Sequence, residues 1–541
     1  MLRLFGVGAS GGCAIGELYI LRSERPRIEC QYILDEAAEI ARYKNAVNTA
    51  KSELDELYVD ALVKVGEQEA FVFEIHKIML EDDEFQVSVT DIIKSGNVCA
   101  EYAVSCVTEK LTRRFSQLED HYMRARAADI KDISDRVTDI LTGRSRGDIA
   151  PNRPVIVFAE DLSPSQTIKL DRENVLAFIT KSGSKSSHTA ILARTMGIPA
   201  VIGLGECAVP EDADGEVVAV NGETGEVFIS PDTKTVNAIQ KARKAAVKRA
   251  SLLAKLKGRP SVTKSGWRIV TCANIGRQGD LQSALDNDAE GIGLFRTELL
   301  FIEHDCCPSE QVQFISYKMV VEAMRGKCVT LRTLDIGSDK QLDYFNIPKE
   351  ENPALGVRGV RLCLARPEIF KTQLRAMYRA SYFGKAQILF PMITSVEEVL
   401  EVKRILAEVT EALERDNINF DKNLKVGIMI ETPAAAIISG ELAKHVDFFS
   451  IGTNDLSQYT LAIDRGNENL NRFFDPYHPA VMELIRITAE NAKKNGIKVQ
   501  ICGELAADIT LTQRFAAMGI DELSVVPSLI LPLREKILEC L

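Results

Sequence analysis

The segment around His188 has the residue types of a site that binds an anion. An apolar run at 175–179 leads into small residues at 182–187, and helix-favouring residues follow His188 until Gly197. A helix that begins after such a turn points unpaired N–H groups and its positive dipole end at one place, which favours phosphate. The same field disfavours a charged imidazole, so we expect His188 to be a neutral nucleophile near pH 7. The alternative is that His188 only caps or packs against the helix.

A second group of reactive side chains follows the predicted strands of the C-terminal half. Arginines, carboxylates, one asparagine and one cysteine stand at or just after successive strand ends: Arg296, Glu298, Arg332, Asp335, Glu431, Asn454, Asp455, Arg465 and Cys502. Arginine forks bind phosphate and carboxylate groups in bidentate fashion. A glutamate and an aspartate, together with substrate oxygens, make an octahedral Mg²⁺ site. Any one pair could be a structural ion pair, but their common position predicts a site for a small phosphorylated carboxylic acid.

The strands that must position these side chains recur regularly after residue 268. Eight strand candidates alternate with helical patterns, at 269–273, 291–295, 329–334, 388–392, 426–430, 448–451, 499–502 and 523–526. Eight such units predict a (β/α)₈ barrel, in which the chemistry lies at the carboxyl ends of the strands.

The first half of the chain predicts an α/β domain that is interrupted by helices. Short β runs occur within the first twenty residues and again over 155–229. Between them, residues 33–141 are rich in Glu, Ala, Lys and Leu at helical spacing, which predicts a bundle of about four helices. The basic segment 238–257 predicts a solvated linker helix.

Composition limits the compartment and the class of partner. The chain has 541 residues and a formal net charge of −11, which argues against nucleic acid as a partner. Its 12 cysteines lack disulfide-framework or zinc-site spacing, so we expect reduced thiols in the cytoplasm. No apolar run is long enough to cross a bilayer, and the N-terminus lacks the apolar region of a signal peptide. We therefore expect no membrane insertion.

Motifs in both halves resemble the phosphoenolpyruvate-utilising enzymes, the family that includes enzyme I of the sugar phosphotransferase system. Residues 183–194 resemble the family's phosphohistidine signature, with Ser184 in place of a glycine and Ser186 in place of a threonine. Gly11 stands where the family usually has proline. The matching barrel motifs follow in family order, at 291–298, 349–353, 390–393, 431–435, 449–460 and 502–506.

The resemblance implies a catalytic pair on two domains. His188 would accept the phosphoryl group of phosphoenolpyruvate, and Cys502 would protonate the enolate to give pyruvate. Three arginines would bind the phosphate: Arg296, Arg332 and Arg358. The carboxylate would be held by Asn454, Asp455 and Arg465. The Mg²⁺ ligands would be Glu431 and Asp455.

The resemblance also implies how the chain is divided. An α/β phosphohistidine domain that swivels would comprise residues 1–24 and 145–232, and a helical domain inserted at 25–144 would bind the carrier protein. A linker helix would cover 233–260, and a TIM barrel that binds phosphoenolpyruvate would cover 261–541.

Partners follow from the same resemblance. The phosphoryl group would pass to a histidine of the carrier protein HPr, which would dock on the acidic, apolar-striped segment 67–84. A hinge would lie in the basic segment 238–257, and two copies would form a homodimer through the barrel.

Two other functions remain open. The chain could be a regulatory or sensing protein that keeps the fold without turnover, but the complete set of reactive residues argues against this. It could also be a phosphotransferase with a small-molecule acceptor, which the acidic helical insert argues against.

Overall fold

The structure, a computed structural model, describes the chain except residues 22–27, 65–66, 117–120, 145–152, 170–173, 184–186, 206–208, 303, 305, 339–341, 466 and 471. Two compact units divide it, Met1–Ala250 and Ser251–Leu541. Each unit has its own sheet and its own apolar core. Within the described residues we find no helix whose length and apolar character would suit a bilayer span.

A mixed eight-stranded sheet forms the centre of the first unit. Its strands in chain order are β1 Leu2–Phe5, β2 Val7–Ser10, β3 Cys13–Ile20, β4 Val155–Ala159, β5 Val175–Thr180, β6 Ala200–Ile202, β7 Val217–Asn221 and β8 Glu226–Ile229. Their spatial order is β1-β8-β7-β3-β4-β5-β6-β2. Because β3 pairs with both β4 and β7, strands from both sides of the helical segment belong to one sheet.

Five helices separate β3 from β4 in the described residues: α1 Glu36–Lys64, α2 Glu67–Glu81, α3 Asp83–Gly96, α4 Ala100–Ser116 and α5 His121–Leu141. The sequence predicts about four. One break that it misses is at Asp82, whose Oδ1 accepts a hydrogen bond from the Phe85 backbone N–H at 3.0 Å. This cap ends the helical run and starts α3.

The remaining helices of the first unit follow the sheet strands. They are α6 Pro164–Lys169, α7 His188–Met196 and α8 Thr233–Ala254. On α8, Ile239 is buried against Ala219 and Phe228 of the sheet. Residues 240–252 are exposed, so the middle of α8 contributes no side chain to an apolar core.

The second unit contains a closed barrel of eight parallel strands, which confirms the predicted (β/α)₈ fold. The strands are β9 Val270–Ile275, β10 Ile292–Arg296, β11 Val329–Arg332, β12 Ala386–Phe390, β13 Lys425–Ile430, β14 Phe448–Ile451, β15 Lys498–Ile501 and β16 Glu522–Val525, and β16 closes on β9. Each lies within two residues of its predicted position. Strands buried on both faces read as short apolar runs, which is why the sequence locates them.

Helices cover the outside of the barrel. They are α9 Gln278–Asp286, α10 Glu298–Ile302, α11 Glu310–Ala323, α12 Val360–Ala365, α13 Pro367–Ser381, α14 Val396–Arg415, α15 Pro433–Ile437, α16 Ser439–Leu442, α17 Thr453–Leu461, α18 Pro479–Lys494, α19 Thr512–Met518 and α20 Ile530–Glu539. Their apolar faces and the outward-facing strand residues form one continuous core.

The residues just after α8 are anchored to the barrel unit by α20. The fully buried Arg534 donates to the Leu256 carbonyl at 3.0 Å and pairs with the Asp288 carboxylate. Asp288 also accepts a hydrogen bond from the Gly258 backbone N–H at 2.7 Å. The chain therefore joins the barrel by Leu256.

Candidate active site

The carboxyl ends of β10 and β11 place opposite charges side by side. Arg332 ends β11 and is 5% exposed. Its Nη2 donates to Glu298 Oε1 at 2.5 Å, and its Nη1 lies 3.1 Å from Asp335 Oδ2. Burial alone would lower the pKa of Arg332, but the carboxylates of Glu298 and Asp335 raise it above its ordinary value. The guanidinium therefore stays charged although water is excluded.

Arg358 reaches the same carboxylate from the segment that follows β11. Its Nη2 donates to Asp335 Oδ1 at 3.2 Å, so Asp335 bridges two guanidinium groups. Burial would lower the pKa of Arg358, and Asp335 raises it. The next residue, Gly359, has a φ of +55°, and a Cβ there would lie 2.9 Å from Met392 Cβ. Only glycine fits here, because a side chain would collide with Met392 and would be strained at this φ.

Glu431 follows β13 and is 1% exposed. Its Oε1 accepts a hydrogen bond from the Met392 backbone N–H at 2.6 Å. Met392 has a φ of +62°, which is strained for a residue with a side chain. Burial, followed by the charges of Asp455 and Asp335, raises the pKa of Glu431 to about 8. The site therefore holds a carboxylate whose charge is only partly compensated.

The start of α17 supplies the neighbouring carboxylate and an amide. Asp455 Oδ1 lies 3.6 Å from Arg465 Nη2. Asn454 Nδ2 donates to Glu504 Oε1 at 3.1 Å, and its Oδ1 accepts from the Glu504 backbone N–H at 2.8 Å. These contacts join the loops that follow β14 and β15.

Cys502 follows β15 and faces the barrel interior, 2% exposed. Its Sγ accepts a hydrogen bond from Ser450 Oγ at 3.2 Å. Burial raises the pKa of the thiol to about 11, while Ser450 and the charges of Arg332 and Arg296 act in the opposite direction. The thiol is thus protonated at neutral pH. Arg296 itself is the exposed last residue of β10.

Five buried polar atoms of this rim make no hydrogen bond within the described residues: Arg332 Nε, Arg358 Nε, Glu298 Oε2, Glu431 Oε2 and Asp455 Oδ1. A buried polar group without a partner costs about 1–3 kcal/mol. Their concentration at one end of the barrel marks the place where a polar ligand binds. Because donors and acceptors are both present, a ligand with acceptor oxygens, together with a cation or hydrogen-bond donors, would satisfy them.

The acceptors of this rim fit a divalent cation. The carboxylates of Glu431 and Asp455 lie close enough to raise the pKa of Glu431, and each has an oxygen without a hydrogen bond. The described residues contain no cluster of three or more His, Cys, Asp or Glu side chains suited to a metal. A hard divalent cation held by two carboxylates can complete its coordination with oxygens of a ligand and of water.

His188 is the first residue of α7, as the small-residue turn predicts. Ser187 is the N-cap and accepts a hydrogen bond from the Ala190 backbone N–H, and Gly197 ends the helix with a φ of +66°. Thr189 Oγ1 donates to the Leu162 carbonyl at 3.1 Å, which fixes the first turn to the loop that precedes α6. The side chain of His188 lies outside the described residues, as do Ser184 and Ser186.

The barrel rim brings together most of the predicted site residues: Arg296, Arg332, Arg358, Glu431, Asn454, Asp455, Arg465 and Cys502. His188 belongs to the other unit. Glu298 and Asp335 belong to the predicted group of strand-end side chains, but the sequence does not indicate that both pair with Arg332. Met392 and Ser450 lie in the family motifs 390–393 and 449–460, but the sequence does not indicate the contacts that they make.

Comparisons with known proteins agree with this architecture. Family models described as "PEP-utilising enzyme, N-terminal", "PEP-utilising enzyme, mobile domain" and "PEP-utilising enzyme, PEP-binding domain" match residues 5–126, 151–225 and 250–540. The barrel and its rim are thus those of a PEP-utilising enzyme.

Individual relatives narrow the class. The chain is 42% identical over 542 residues to the phosphoenolpyruvate-protein phosphotransferase of Bacillus subtilis (strain 168), covering 99% of this chain and 94% of that protein. It is 40% identical over 525 residues to the enzyme of that name from Haemophilus influenzae, covering 96% and 91%. A solution structure named Enzyme I (nEIt) is 35% identical, with a TM-score of 0.38, over 45% of this chain and 99% of that one. The chain belongs to the phosphoenolpyruvate-protein phosphotransferases.

Replacing Glu431 tests the cation site. Glu431→Gln keeps an acceptor for the Met392 N–H and is always neutral, so folding at pH 7 no longer requires the proton uptake that the raised pKa of Glu431 imposes, and the metal-free protein should melt about 2–4 °C higher. The rise in melting temperature that Mg²⁺ or Mn²⁺ causes should disappear. Differential scanning fluorimetry measures both effects.

Glu290 is a matched control at the other end of the barrel strands. Its Oε2 accepts from Ser261 Oγ and from the Thr271 N–H and Oγ1, and although burial raises its pKa, these hydrogen bonds bring it below its ordinary value. Glu290→Gln should therefore lower the melting temperature and keep the metal-dependent rise. A metal-dependent rise that survives in Glu431→Gln would contradict the assignment.

Proposed function

We propose that this enzyme transfers the phosphoryl group of phosphoenolpyruvate to His188, releases pyruvate, and passes the group to a histidine of an HPr-like carrier protein. This is the first step of the sugar phosphotransferase system. The observation that carries the proposal is the rim of the barrel. There, buried charged arginines and partly compensated carboxylates surround a protonated thiol.

Phosphoenolpyruvate fits the charges of the rim. Arg332 and Arg358, with Arg296 beside them, would bind the phosphate, and the Nε atoms of the first two have no partner within the described residues. Asn454, Asp455 and Arg465 would hold the carboxylate at the start of α17. Arginine forks suit both groups because each offers two parallel N–H donors.

Glu431 and Asp455 would hold Mg²⁺. The cation would neutralise phosphoryl and carboxylate oxygens and so make the phosphorus more open to attack. The Met392 N–H keeps Glu431 Oε1 turned toward the peptide, which leaves Oε2 for the cation.

Cys502 would donate the proton that converts the enolate into pyruvate. Its thiol is protonated at neutral pH because burial raises its pKa to about 11. When the proton leaves, the hydrogen bond from Ser450 Oγ would stabilise the thiolate that remains. The thiol is thus protonated before the reaction, and a proton from solvent would convert the thiolate back to the thiol afterwards.

His188 must reach the barrel rim from the other unit. The N-terminal part of α8 is fixed to the first unit through Ile239, and the residues that follow α8 are fixed to the barrel through Arg534. The exposed part between them, 240–252, is therefore where we place the hinge, within the segment 238–257. We retain the division into 1–24 with 145–232, 25–144, 233–260 and 261–541 as part of this proposal.

The carrier would dock on the outer face of α2. Phe71 and Ile78 are 52% and 61% exposed and lie seven residues apart, on one side of the helix. Several acids of the region are paired, since Lys77 Nζ contacts Asp55 at 2.6 Å and Lys51 pairs with Glu81. Apolar contact would therefore supply much of the affinity, and the remaining acids would steer a basic partner.

No observation favours a sensing role or a small-molecule acceptor. The expected homodimer through the barrel stays a prediction.

Replacing His188 tests the nucleophile. His188→Ala should lose all acid-labile label from phosphoenolpyruvate with Mg²⁺, while the rise in melting temperature caused by phosphoenolpyruvate should remain, because that ligand binds the other unit. Mass spectrometry locates the label. Label on any of His76, His121, His304, His445 or His478 in the variant would overturn the assignment.

Replacing Cys502 tests the proton donor. Cys502→Ala should slow pyruvate release by about 10²–10⁴-fold, the range for a positioned acid, and should retain phosphoryl exchange between His188 and bound ligand. A lactate dehydrogenase assay measures the pyruvate. Cys272→Ala removes a thiol that is equally buried but lies near Glu290 and Glu522, at the other end of the barrel, and this control should keep normal release. Normal release in Cys502→Ala with a lower melting temperature would make Cys502 a packing residue.

Replacing Ile78 tests the docking face. Ile78→Glu should keep labelling of His188 by phosphoenolpyruvate and should slow transfer to purified HPr at least tenfold, because it puts a charge into an apolar contact. Ile315→Glu on α11, where Ile315 is 55% exposed, is the control, because it makes the same substitution on the other unit. If both variants transfer at the same rate, the carrier docks elsewhere.

A further inference from the structure

We propose that Glu298 is a positioning residue for phosphoryl transfer, which acts through Arg332. This rests on the proposed function of the rim. Glu298 is 3% exposed and is the first residue of α10, two residues after Arg296. Its position is therefore fixed by the end of a barrel strand rather than by a flexible loop.

The contact between Glu298 and Arg332 constrains the guanidinium. Glu298 Oε1 accepts from Nη2 at 2.5 Å, while Asp335 Oδ2 lies 3.1 Å from Nη1. The two carboxylates thus hold the two terminal nitrogens of one planar fork. With both terminal nitrogens held, the fork cannot rotate, and its free Nε–H edge keeps one direction.

The backbone of Arg332 is fixed by the same segment. Thr297 Oγ1 donates to the Arg332 carbonyl at 2.6 Å, and Gln373 Nε2 donates to Thr297 Oγ1 at 3.0 Å. Gln373 Oε1 in turn accepts from the Leu334 N–H at 2.9 Å. The adjacent residues Thr297 and Glu298 therefore hold the two ends of Arg332, its carbonyl and its charged head.

Only one oxygen of Glu298 is used by these contacts. Oε2 is buried and makes no hydrogen bond within the described residues. A carboxylate that served stability alone would be expected to satisfy both oxygens, because each unpaired one is costly. The arrangement instead stabilises the charged form of Arg332. Burial would lower the pKa of this guanidinium, and Glu298 makes the largest contribution among the carboxylates that raise it.

The test separates the two half-reactions of the enzyme. Glu298→Gln keeps size and an acceptor for Nη2 but removes the charge. We expect kcat/KM for phosphoenolpyruvate to fall by about 10–100-fold, the usual effect of losing a group that orients a ligand-binding side chain. Transfer from phosphorylated HPr back to His188 does not use the barrel and should keep its rate.

Glu310→Gln is the matched control. Glu310 also pairs with half-buried arginines of the barrel unit, at 2.8 Å from Arg375 Nε and 2.6 Å from Arg379 Nη1. These contacts lie between the outer helices α11 and α13, away from the rim. It should change melting temperature at most and leave both half-reactions intact.

The outcomes are distinct. Wild-type protein that takes no label from phosphoenolpyruvate would overturn the proposed function itself. Wild-type labelling with an unchanged kcat/KM in Glu298→Gln would overturn the role of Glu298 and leave the function standing. Loss of both half-reactions in Glu298→Gln would also overturn it, because the residue would then serve the fold.

Discussion

The arrangement of the rim depends on two buried guanidinium groups, those of Arg332 and Arg358. A cation that loses water needs opposite charge close by, and Asp335 provides it to both. Glu298 adds a second carboxylate to Arg332. Fixed in this way, the arginines stay charged and keep their direction, so a phosphate would meet donors that need no rearrangement.

The charge balance of the rim explains why a cation and the substrate belong together. The positive residues Arg296, Arg332, Arg358 and Arg465 face four carboxylates, those of Glu298, Asp335, Glu431 and Asp455. Because the raised pKa of Glu431 favours its neutral form, the rim without ligand carries close to one positive charge at neutral pH. Phosphoenolpyruvate carries a carboxylate and a phosphate of about −1.5 to −2 charges. A divalent cation between Glu431 and Asp455 would offset most of that added charge, so each ligand should favour binding of the other.

The sequence predicts the barrel and the position of the rim, but not the pairing within it. Parallel strands buried on both faces read as apolar runs, and the reactive residues stand at their ends. Which carboxylate faces which arginine depends on strand register and side-chain direction, so Glu298 and Asp335 could not be assigned to Arg332 in advance. The sequence does not indicate the positive φ of Met392, because methionine is not a residue type that marks this conformation. The turn before His188 does have one, because small residues and a capping serine mark the start of α7.

The inserted helices and the sheet of the first unit are packed together. Buried residues of the inserted helices, such as Tyr43 and Phe73, share one apolar core with Phe178 of the sheet and Ala190 of α7. Arg136 of α5 adds a buried hydrogen bond to Ser165 of α6, at 2.8 Å. The exposed face of α2 and the helix that begins with His188 therefore belong to one packed body. Because the proposed docking face and the histidine belong to one body, a hinge in α8 would move both together relative to the barrel without rebuilding either surface.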